Sequence, residues 1–357
     1  MIDENSISLS FLGDISLNDD YNVLFERGEK PFRQIGSFLA NSDLVVGNLE
    51  CLAESKQGEN ILKKPRLKTK LETLNYLKDI NLGLACVANN HFYDNLEKGF
   101  QNTINFLEEN SINHIGASIT GNECDPYIFE KQGIKVAILN YVTQDTNPNL
   151  PNDAKVRPNW FYLKKVEEDI AKLKDKVDYI IVYPHWGGRM EGAKLPDREL
   201  IPIAHKIIDT GADLIIGHHS HTIQPYEIYK GKYIFYSLGN FCFSDIRING
   251  RIIESDKKRT SKFIIVNIKL FKDNIYVYYT LGNKKGPFIT IDNHSRFIYD
   301  NIMKICLYLI KINSISHLYI FYEKHIYPIT NYLLSNNRNP FQQIKSLITI
   351  WFNKRLR

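Results

Sequence analysis

Residues 212–221 read Ala-Asp-Leu-Ile-Ile-Gly-His-His-Ser-His, an apolar run that ends in three histidines within four residues. The apolar run predicts a buried strand, and the histidines follow directly at its carboxyl end. Neutral imidazole is the commonest protein ligand for zinc, iron and manganese-type ions. His219 and His221 are two residues apart, so they can converge on one point. The run therefore predicts a metal site at a strand end, with unliganded surface histidines as the alternative.

The same arrangement recurs along the first 245 residues, where short apolar runs alternate with longer amphipathic ones. Strands that alternate with helices predict a layered α/β fold. Polar residues follow five other predicted strands, at the sheet edge where open α/β sheets bind ligands. A single shared site is the simplest interpretation of these motifs. They are Gly13-Asp14, Gly47-Asn48-Leu49-Glu50, Ala88-Asn89-Asn90-His91, Pro184-His185-Trp186-Gly187 and Ser237-Leu238-Gly239-Asn240-Phe241.

The strand-end side chains offer oxygen and nitrogen donors and no sulfur, a set that suits manganese, zinc or iron. Two such ions about 3.5–4 Å apart are a common arrangement for phosphoester hydrolysis. We therefore expect one or two divalent ions. Taken singly, an aspartate can cap a helix, paired asparagines can form a turn, and a strand-end histidine can belong to the core. The predicted ligands are Asp14, Glu50, Asn90, His185, His219 and His221.

His91 is the predicted proton donor of this site. It would protonate a leaving group or stabilise the transition state, and Asp94 would orient its ring through a hydrogen bond. The remaining strand-end residues are expected to orient ligands or to contact the substrate. These residues are Asn48, Asn89, Trp186, His218 and Asn240.

Bulk properties exclude several other classes of protein. The content of 43% hydrophobic and 24% charged residues is typical of a globular domain. The five scattered cysteines predict neither a zinc knuckle nor a disulfide framework, and they favour a reducing compartment. The sequence contains no P-loop, dinucleotide fingerprint or nucleophile elbow. No RNA-binding signature accompanies the basic residues, so no nucleic-acid partner is expected.

The texture of the sequence changes near residue 290, which predicts a domain at 6–290 and a basic, aromatic-rich helical tail at 291–357. Residues 301–357 carry eight lysines or arginines and one acidic residue. The segment Phe341–Arg357 either packs on the body or lies on an anionic membrane surface. No signal sequence or transmembrane segment is recognisable, so the expected location is cytoplasmic, with peripheral contact at the inner membrane face. Residues 55–70, 145–159 and 247–258 are predicted to be surface loops.

The order of the strand-end motifs resembles the CapA family of capsule and poly-γ-glutamate biosynthesis proteins, a branch of the calcineurin-like metallophosphatases. The resemblance covers about residues 6–245. It implies a four-layer αββα sandwich with a metal site at the strand ends. It also implies that Asp14 is the first metal-binding aspartate, that Asn90 and His91 supply a ligand and the general acid, and that His185 is the isolated histidine ligand. His219-Ser220-His221 would be the closing His-x-His motif.

Two positions depart from the typical metallophosphatase pattern, and both departures are usual for the CapA branch. Ser16 stands where a histidine ligand is typical, and Asn48 stands where a metal-bridging aspartate is typical. Glu50 is two residues beyond Asn48. Both substitutions alter the ligand set of a two-metal centre.

Two functions follow as expectations from this sequence. The first is a metal-dependent, phosphoesterase-like hydrolase that serves surface-polymer synthesis and acts on an anionic small molecule or polymer. The alternative is a non-catalytic subunit that binds the polymer or assembles with a surface-polymer synthase.

Overall fold

The computed structural model describes residues 6–119, 125–188, 191–248, 251–254, 260–292 and 296–326. The chain divides into two units, residues 1–307 and residues 308–357. The first unit contains both large β-sheets. In the second unit, described residues form the end of one helix, a second helix and a π-helical turn. The predicted segment Phe341–Arg357 lies outside the described residues, and the predicted boundary at residue 290 stays a prediction.

The described strands follow one another in an order that alternates with helices in the first half of the chain. In chain order they are β1 (Ile7–Ile15), β2 (Leu44–Leu49), β3 (Leu84–Cys86), β4 (Asn113–Ile115), β5 (Ala117–Ser118), β6 (Tyr127–Lys131), β7 (Ile134–Val142), β8 (Arg157–Pro158), β9 (Tyr179–His185), β10 (Leu214–Ile216), β11 (Tyr226–Tyr229), β12 (Lys232–Phe235), β13 (Asn240–Cys242), β14 (Ile246–Ile248), β15 (Arg251–Glu254), β16 (Lys262–Leu270), β17 (Ile275–Lys285) and β18 (Phe288–Ile291).

The helices are α1 (Asp20–Glu26), α2 (Arg33–Leu39), α3 (Tyr76–Asp79), α4 (Leu96–Glu109), α5 (Leu163–Leu173), α6 (Leu200–Thr210), α7 (Arg296–Lys311) and α8 (Asn313–Phe321). Short 3-10 turns form at Leu71–Asn75 and Gln144–Thr146, and the π-helical turn spans Tyr322–Ile326. Among the described residues, none of the helices combines the length and the apolar composition that a membrane crossing requires.

Two large sheets face each other in the first unit. The first sheet has the order β18-β17-β16-β1-β2-β3-β4, with β13 added beside β1, and the second has the order β11-β12-β10-β9-β7-β6. Strands β1, β2 and β3 are parallel, as are β7, β9, β10 and β12. Parallel neighbours bring their carboxyl ends to one edge of each sheet.

The hydrophobic core has two main layers in this unit. One layer lies between the sheets and joins Phe11 and Val46 of the first sheet to Ile181 and Ile216 of the second. The other lies between the first sheet and helices α1 to α4. On the outer face of the second sheet, α5 and α6 pack together, and Tyr141 of β7 hydrogen-bonds Asp169 of α5. The layers are therefore helices, sheet, sheet and helices, which confirms the predicted four-layer αββα sandwich.

A bulge in β1 turns Asp14 toward the second sheet. Ile7, Leu9 and Phe11 face the inter-sheet core, whereas Ile15 faces the helices. In a regular strand Phe11 and Ile15 would share a face, but the register of β1 shifts between Phe11 and Asp14. The bulge therefore reverses the alternation and aims the Asp14 side chain between the sheets.

One predicted loop is wrong. Within the predicted loop 247–258, the described residues pair as antiparallel strands, β14 (Ile246–Ile248) with β15 (Arg251–Glu254). Ile246 is buried in a small cluster with Cys51, Leu67 and Phe243. This burial gives the segment a packed face, so it can form a strand despite its charged composition.

Candidate metal centre

Asp14, at the end of β1, is completely buried and accepts two hydrogen bonds on one oxygen. Asn48 Nδ2 lies 2.8 Å from Asp14 Oδ1, and His218 Nδ1 lies 2.9 Å from it. The other oxygen, Oδ2, lies 3.3 Å from His221 Nδ1. Burial by itself would raise the pKa of Asp14, but the hydrogen bonds from His218 and His221 hold it well below its usual range. Asp14 is therefore an ionised carboxylate between the two sheets.

Asp14, Glu50 and His221 form one group of donors. One ligand atom from each of the three residues lies within 4.8 Å of the other two. His221 Nδ1 lies 2.8 Å from Asn240 Oδ1, an oxygen that can only accept, so Nδ1 carries a proton. Burial would lower the pKa of His221, but the carboxylates of Glu50 and Asp14 raise it well above its usual value. His221 Nε2 is therefore the nitrogen that can exchange its proton for a metal ion.

Asn90, His185 and His219 form a second group. His185 Nε2 lies 3.0 Å from Asn90 Oδ1 and 3.1 Å from His219 Nδ1. Ligands on an ion with bonds of about 2.1 Å are about 3.0 Å apart in octahedral and about 3.4 Å apart in tetrahedral coordination, so this spacing suits a shared cation. Burial lowers the pKa of His185 well below its usual value and lowers that of His219 to about 4. Both imidazoles are therefore neutral, as metal ligands must be.

Glu50 lies between the two groups. Its Oε1 atom is 3.7 Å from His185 Nε2 and 3.8 Å from His221 Nε2. Its Oε2 atom is buried and has no hydrogen-bond partner among the described residues. Burial raises the pKa of this carboxyl well above its usual value. Glu50 is therefore within reach of both groups and needs a cation or a proton to offset its burial.

Asn48 acts as a hydrogen-bond donor toward the acidic group. Its Nδ2 atom donates to Asp14 and lies 3.2 Å from His185 Nδ1. Its oxygen accepts from Asn89 Nδ2 at 3.3 Å, and the oxygen of Asn89 accepts from the backbone N–H of His91 at 3.0 Å. The carboxylate at one end and the backbone donor at the other fix the direction of this amide chain. As oriented, Asn48 holds Asp14 in place with its nitrogen, whereas a bridging aspartate would offer an oxygen.

His91 and Asp94 form a buried pair beside these donors. His91 Nδ1 lies 2.6 Å from Asp94 Oδ2, and the same oxygen accepts the backbone N–H of Leu67 at 2.7 Å. Burial, and next the charge of Lys63, lower the pKa of His91 well below its usual value. The ring is therefore neutral. Burial raises the pKa of Asp94 well above its usual value, whereas the hydrogen bond from the Leu67 N–H lowers it; because Nδ1 faces Asp94, Nε2 is the nitrogen left to exchange protons.

The histidine run has an unusual backbone. His219 has φ of 99° and His221 has φ of 60°, both in the left-handed region that side-chain-bearing residues rarely adopt. Such conformations cost about 1–3 kcal/mol each and cluster at functional sites. The turns bring two alternate imidazoles to the two donor groups. His218 instead lies against the Tyr183 ring, at 4.2 Å between centroids, and bonds Asp14.

The polar atoms of Trp186 and Ser16 bond other groups of the protein and do not belong to either donor group. Trp186 is only 1% exposed, and its Nε1 donates to the Tyr236 backbone oxygen at 3.1 Å, so its ring is enclosed by protein. Ser16, where the metallophosphatase pattern has a histidine, is buried and donates to Asn18 Oδ1 at 2.7 Å. The Ser16 hydroxyl is therefore engaged away from Asp14.

Sequence reasoning missed two charged residues near the site. Lys63 belongs to a predicted surface loop but is only 4% exposed. The Glu191 side chain is exposed. Desolvation of its carboxyl by the surrounding protein would raise its pKa, but the charges of His219 and His221 lower it. Neither residue follows a strand or belongs to a periodic segment, so no signal in one sequence indicates their place.

The residues present fit one or two divalent cations. Glu50 Oε2 is a buried ligand atom without a hydrogen-bond partner among the described residues. Buried polar atoms are normally satisfied, and oxygen–nitrogen donor sets suit manganese, zinc or iron. The structure therefore has an acidic and histidine-rich site suited to a metal, formed where the strand ends of the two sheets meet.

Comparisons with known proteins show the family to which this chain belongs. The family described as bacterial capsule synthesis protein PGA_cap matches residues 8–245. The capsule biosynthesis protein CapA of Bacillus anthracis is 29% identical over 252 residues, which cover 68% of this chain and 61% of that protein. The PGA biosynthesis protein CapA of Bacillus subtilis is 29% identical over 250 residues, which cover 67% and 64%. This chain thus spans less than two thirds of the length of either relative. The NAD nucleotidase NadN of Haemophilus influenzae aligns over 87% of this chain and 63% of its own, with 15% identity and a TM-score of 0.46.

Proposed function

Because this chain belongs to the bacterial capsule synthesis protein PGA_cap family, we propose that it serves the synthesis of a capsule or poly-γ-glutamate polymer as a metal-dependent hydrolase. The reaction class that the donor set supports best is hydrolysis of a phosphoester or a related bond. The observation that carries the proposal is the convergence of two donor groups on Glu50, whose second oxygen has no partner among the described residues.

Some of these residues would bind the metal ions, and others would orient the metal ligands. Asp14, Glu50 and His221 would hold one cation, and Asn90, His185 and His219 a second, with Glu50 within reach of both. Divalent cations at such a site supply positive charge to a transferring phosphoryl group and lower the pKa of water. Asn48 and His218 keep Asp14 oriented, and Asn240 keeps the proton of His221 on Nδ1.

His91 is the group proposed to move a proton. Asp94 holds its Nδ1–H, so Nε2 takes a proton from the attacking water and passes it to the leaving oxygen. The Asp94 carboxylate stabilises the imidazolium that exists between these two steps. Burial of the pair, 3% exposed at His91 and 1% at Asp94, keeps bulk water from competing for the proton.

The test combines metal analysis with turnover. Purified protein should contain one or two equivalents of a divalent metal and should hydrolyse an aryl phosphate in a metal-dependent manner. His219→Ala should lose bound metal and about a hundredfold or more of the activity. His114→Ala makes the same chemical change at β4, outside the donor groups, and should behave like the wild type. Fully metal-loaded protein that turns over neither phosphoesters nor γ-glutamyl compounds would contradict the hydrolase proposal.

The second candidate is a subunit that binds polymer or a synthase, since both Bacillus relatives are named for polymer biosynthesis. It predicts that the chain co-purifies with a surface-polymer synthase and that His219→Ala leaves this association intact. Loss of the association in the variant would instead link partner binding to the metal centre.

A further inference from the structure

Lys63 is a buried lysine whose ammonium lies beside the metal centre. It is 4% exposed, and its Nζ atom donates to the backbone oxygen of Asn147 at 2.9 Å. Within the described part of the chain, no carboxylate lies within ion-pair distance of Nζ. A buried charge without an ion pair is expensive, so its retention calls for a physical reason.

The segment around Lys63 is held firmly against the site. The backbone N–H of Leu67 donates to Asp94 Oδ2, and the N–H of Asn60 donates to the Asp94 backbone oxygen at 2.8 Å. Asn60 Nδ2 also donates to the backbone oxygen of Asn149 at 3.0 Å. Lys63 therefore projects from a segment fixed at both ends to groups that surround the His91–Asp94 pair.

The Asn90 amide has two orientations, and only one of them offers Lys63 a hydrogen-bond acceptor. With its nitrogen turned toward Glu50 Oε1, at 3.1 Å, the Asn90 oxygen accepts from Lys63 Nζ at 3.2 Å. With its oxygen turned toward His185, as ligation of a cation requires, the amide nitrogen faces the ammonium. The ammonium has three N–H donors, so Asn147 then satisfies only one of them.

We propose that Lys63 binds an oxyanion of the substrate, next to Asn90 and His91, when the metal centre is loaded. This inference rests on the proposed function and assigns the substrate class: the molecule carries a phosphate or carboxylate group at the reacting end. An oxyanion beside Nζ satisfies the donors that Asn90 has released and offsets the buried charge. Lys63 thereby acts as a specificity-determining residue for anionic substrates.

A purely structural explanation exists, and the experiment separates it. Among the charges that act on Lys63, that of Asp94 is the largest. In the structural explanation, the ammonium of Lys63 serves only to offset the buried charge of the Asp94 carboxylate. In that case substitution of Lys63 would change the free energy of unfolding without changing the affinity for an anion.

The experiment is calorimetric titration of this chain, loaded with manganese, with inorganic phosphate and, separately, with γ-glutamylglutamate. Lys63→Gln should weaken binding of at least one probe by about tenfold or more, because a buried charge loses its partner. Lys63→Arg should keep most of the affinity. Lys64→Gln, the same change at the exposed neighbour, should leave both affinities within about twofold of the wild type. The probe that Lys63→Gln affects identifies the source of the oxyanion.

Lys63→Gln protein that binds both probes like the wild type would overturn the proposal, as would wild-type protein that binds neither. If the variant does not fold, wild-type protein with ¹³C-labelled lysine gives the answer. The Lys63 ε-carbon resonance should shift on titration with phosphate or the dipeptide and should saturate with the calorimetric Kd, and a constant resonance would overturn the assignment. Because this experiment measures binding, its result does not depend on turnover. Protein that binds the probes but does not hydrolyse a substrate would count against the proposed hydrolase and would leave the assignment of Lys63 standing.

Discussion

Asn48→Asp introduces the carboxylate that a typical metallophosphatase has at this position. It is the sharpest test of how much negative charge the metal-free site can hold. In the wild type Asn48 Nδ2 donates to Asp14 Oδ1 at 2.8 Å. The substitution replaces that donor by a carboxylate oxygen while changing the volume very little. In metal-free protein it therefore sets two fully buried carboxylates against each other.

The size of the effect follows from that distance. Two unit charges 2.8 Å apart repel by about 6 kcal/mol at an effective dielectric constant of about 20. The pair escapes by binding a proton, which costs about 4 kcal/mol at pH 7 for a carboxyl with an ordinary pKa of about 3.9. At pH 5 the same protonation costs about 1.5 kcal/mol. The loss of unfolding free energy should therefore be about 4 kcal/mol at pH 7 and about 1.5 kcal/mol at pH 5.

The sign of the pH dependence is fixed by linkage. The shared carboxyl of the variant has a raised pKa in the folded state, so its folded form is favoured at low pH and loses stability as the pH rises. Thermal unfolding of chelator-treated protein should show a Tm about 8 °C below the wild type at pH 7 and about 3 °C below it at pH 5, at about 2 °C per kcal/mol. Added manganese should raise the Tm of the variant more than that of the wild type, because the cation offsets the new charge.

The control is Asn105→Asp, the same change at an exposed position of α4, which should alter the unfolding free energy by less than about 0.5 kcal/mol. The reasoning fails if metal-free Asn48→Asp melts with the wild type at pH 7. It also fails if the difference in Tm does not shrink between pH 7 and pH 5, because repulsion relieved by a proton must weaken as protons become available.

Three further substitutions test other parts of the structure. Asp94→Asn should leave the metal content unchanged and lower kcat on an aryl phosphate about tenfold or more, because His91 loses the carboxylate that stabilises its cation. An unchanged pH–rate profile would count against the role of Asp94 in stabilising the His91 cation. Asp169→Asn should cost about 1–2 kcal/mol in urea unfolding at pH 7. Burial would raise the Asp169 pKa, but hydrogen bonds from two lysines lower it. The stabilisation of the folded state by this carboxylate is therefore present above the ordinary pKa and is lost as the pH falls through the lowered value. A difference in unfolding free energy between variant and wild type that stays constant at acidic pH would contradict this assignment. Gly217→Ala should destabilise the fold by about 1–3 kcal/mol, measured by thermal unfolding, since an added Cβ would overlap both the Tyr236 backbone oxygen and the Trp186 indole nitrogen. Wild-type stability would show that both the backbone at Tyr236 and the indole can shift at little cost.

The strand-end motifs were readable from the sequence because they lie at the carboxyl ends of strands with short, strongly apolar patterns. Asp14, Asn48 and His185 follow such strands, and the parallel order of each sheet brings them to one edge. The four-layer architecture followed from the resemblance of these motifs to a known family and is confirmed by the two facing sheets.

Other features depend on tertiary contacts that no single segment carries. Lys63 lies in a polar stretch without periodicity, and only its hydrogen bond to Asn147 and its burial place it at the site. The donor role of Asn48 depends on Asn89, which is 41 residues away in sequence. Residue type at a strand end thus indicates where chemistry lies, whereas the direction of each hydrogen bond comes from the partner across the fold.

The distance in sequence between the donors has a consequence for biosynthesis. His218 reaches Asp14 across 204 residues, and β1 pairs with β13, which places Asn240 beside Asp14. A nascent chain that ends before β13 lacks Asn240, so it cannot hold the acidic group in its final form. Contacts this distant form late because the intervening chain must close first. We therefore expect the ribosome to release almost the whole first unit before a metal ion can bind tightly, so that metal uptake follows folding and does not guide it.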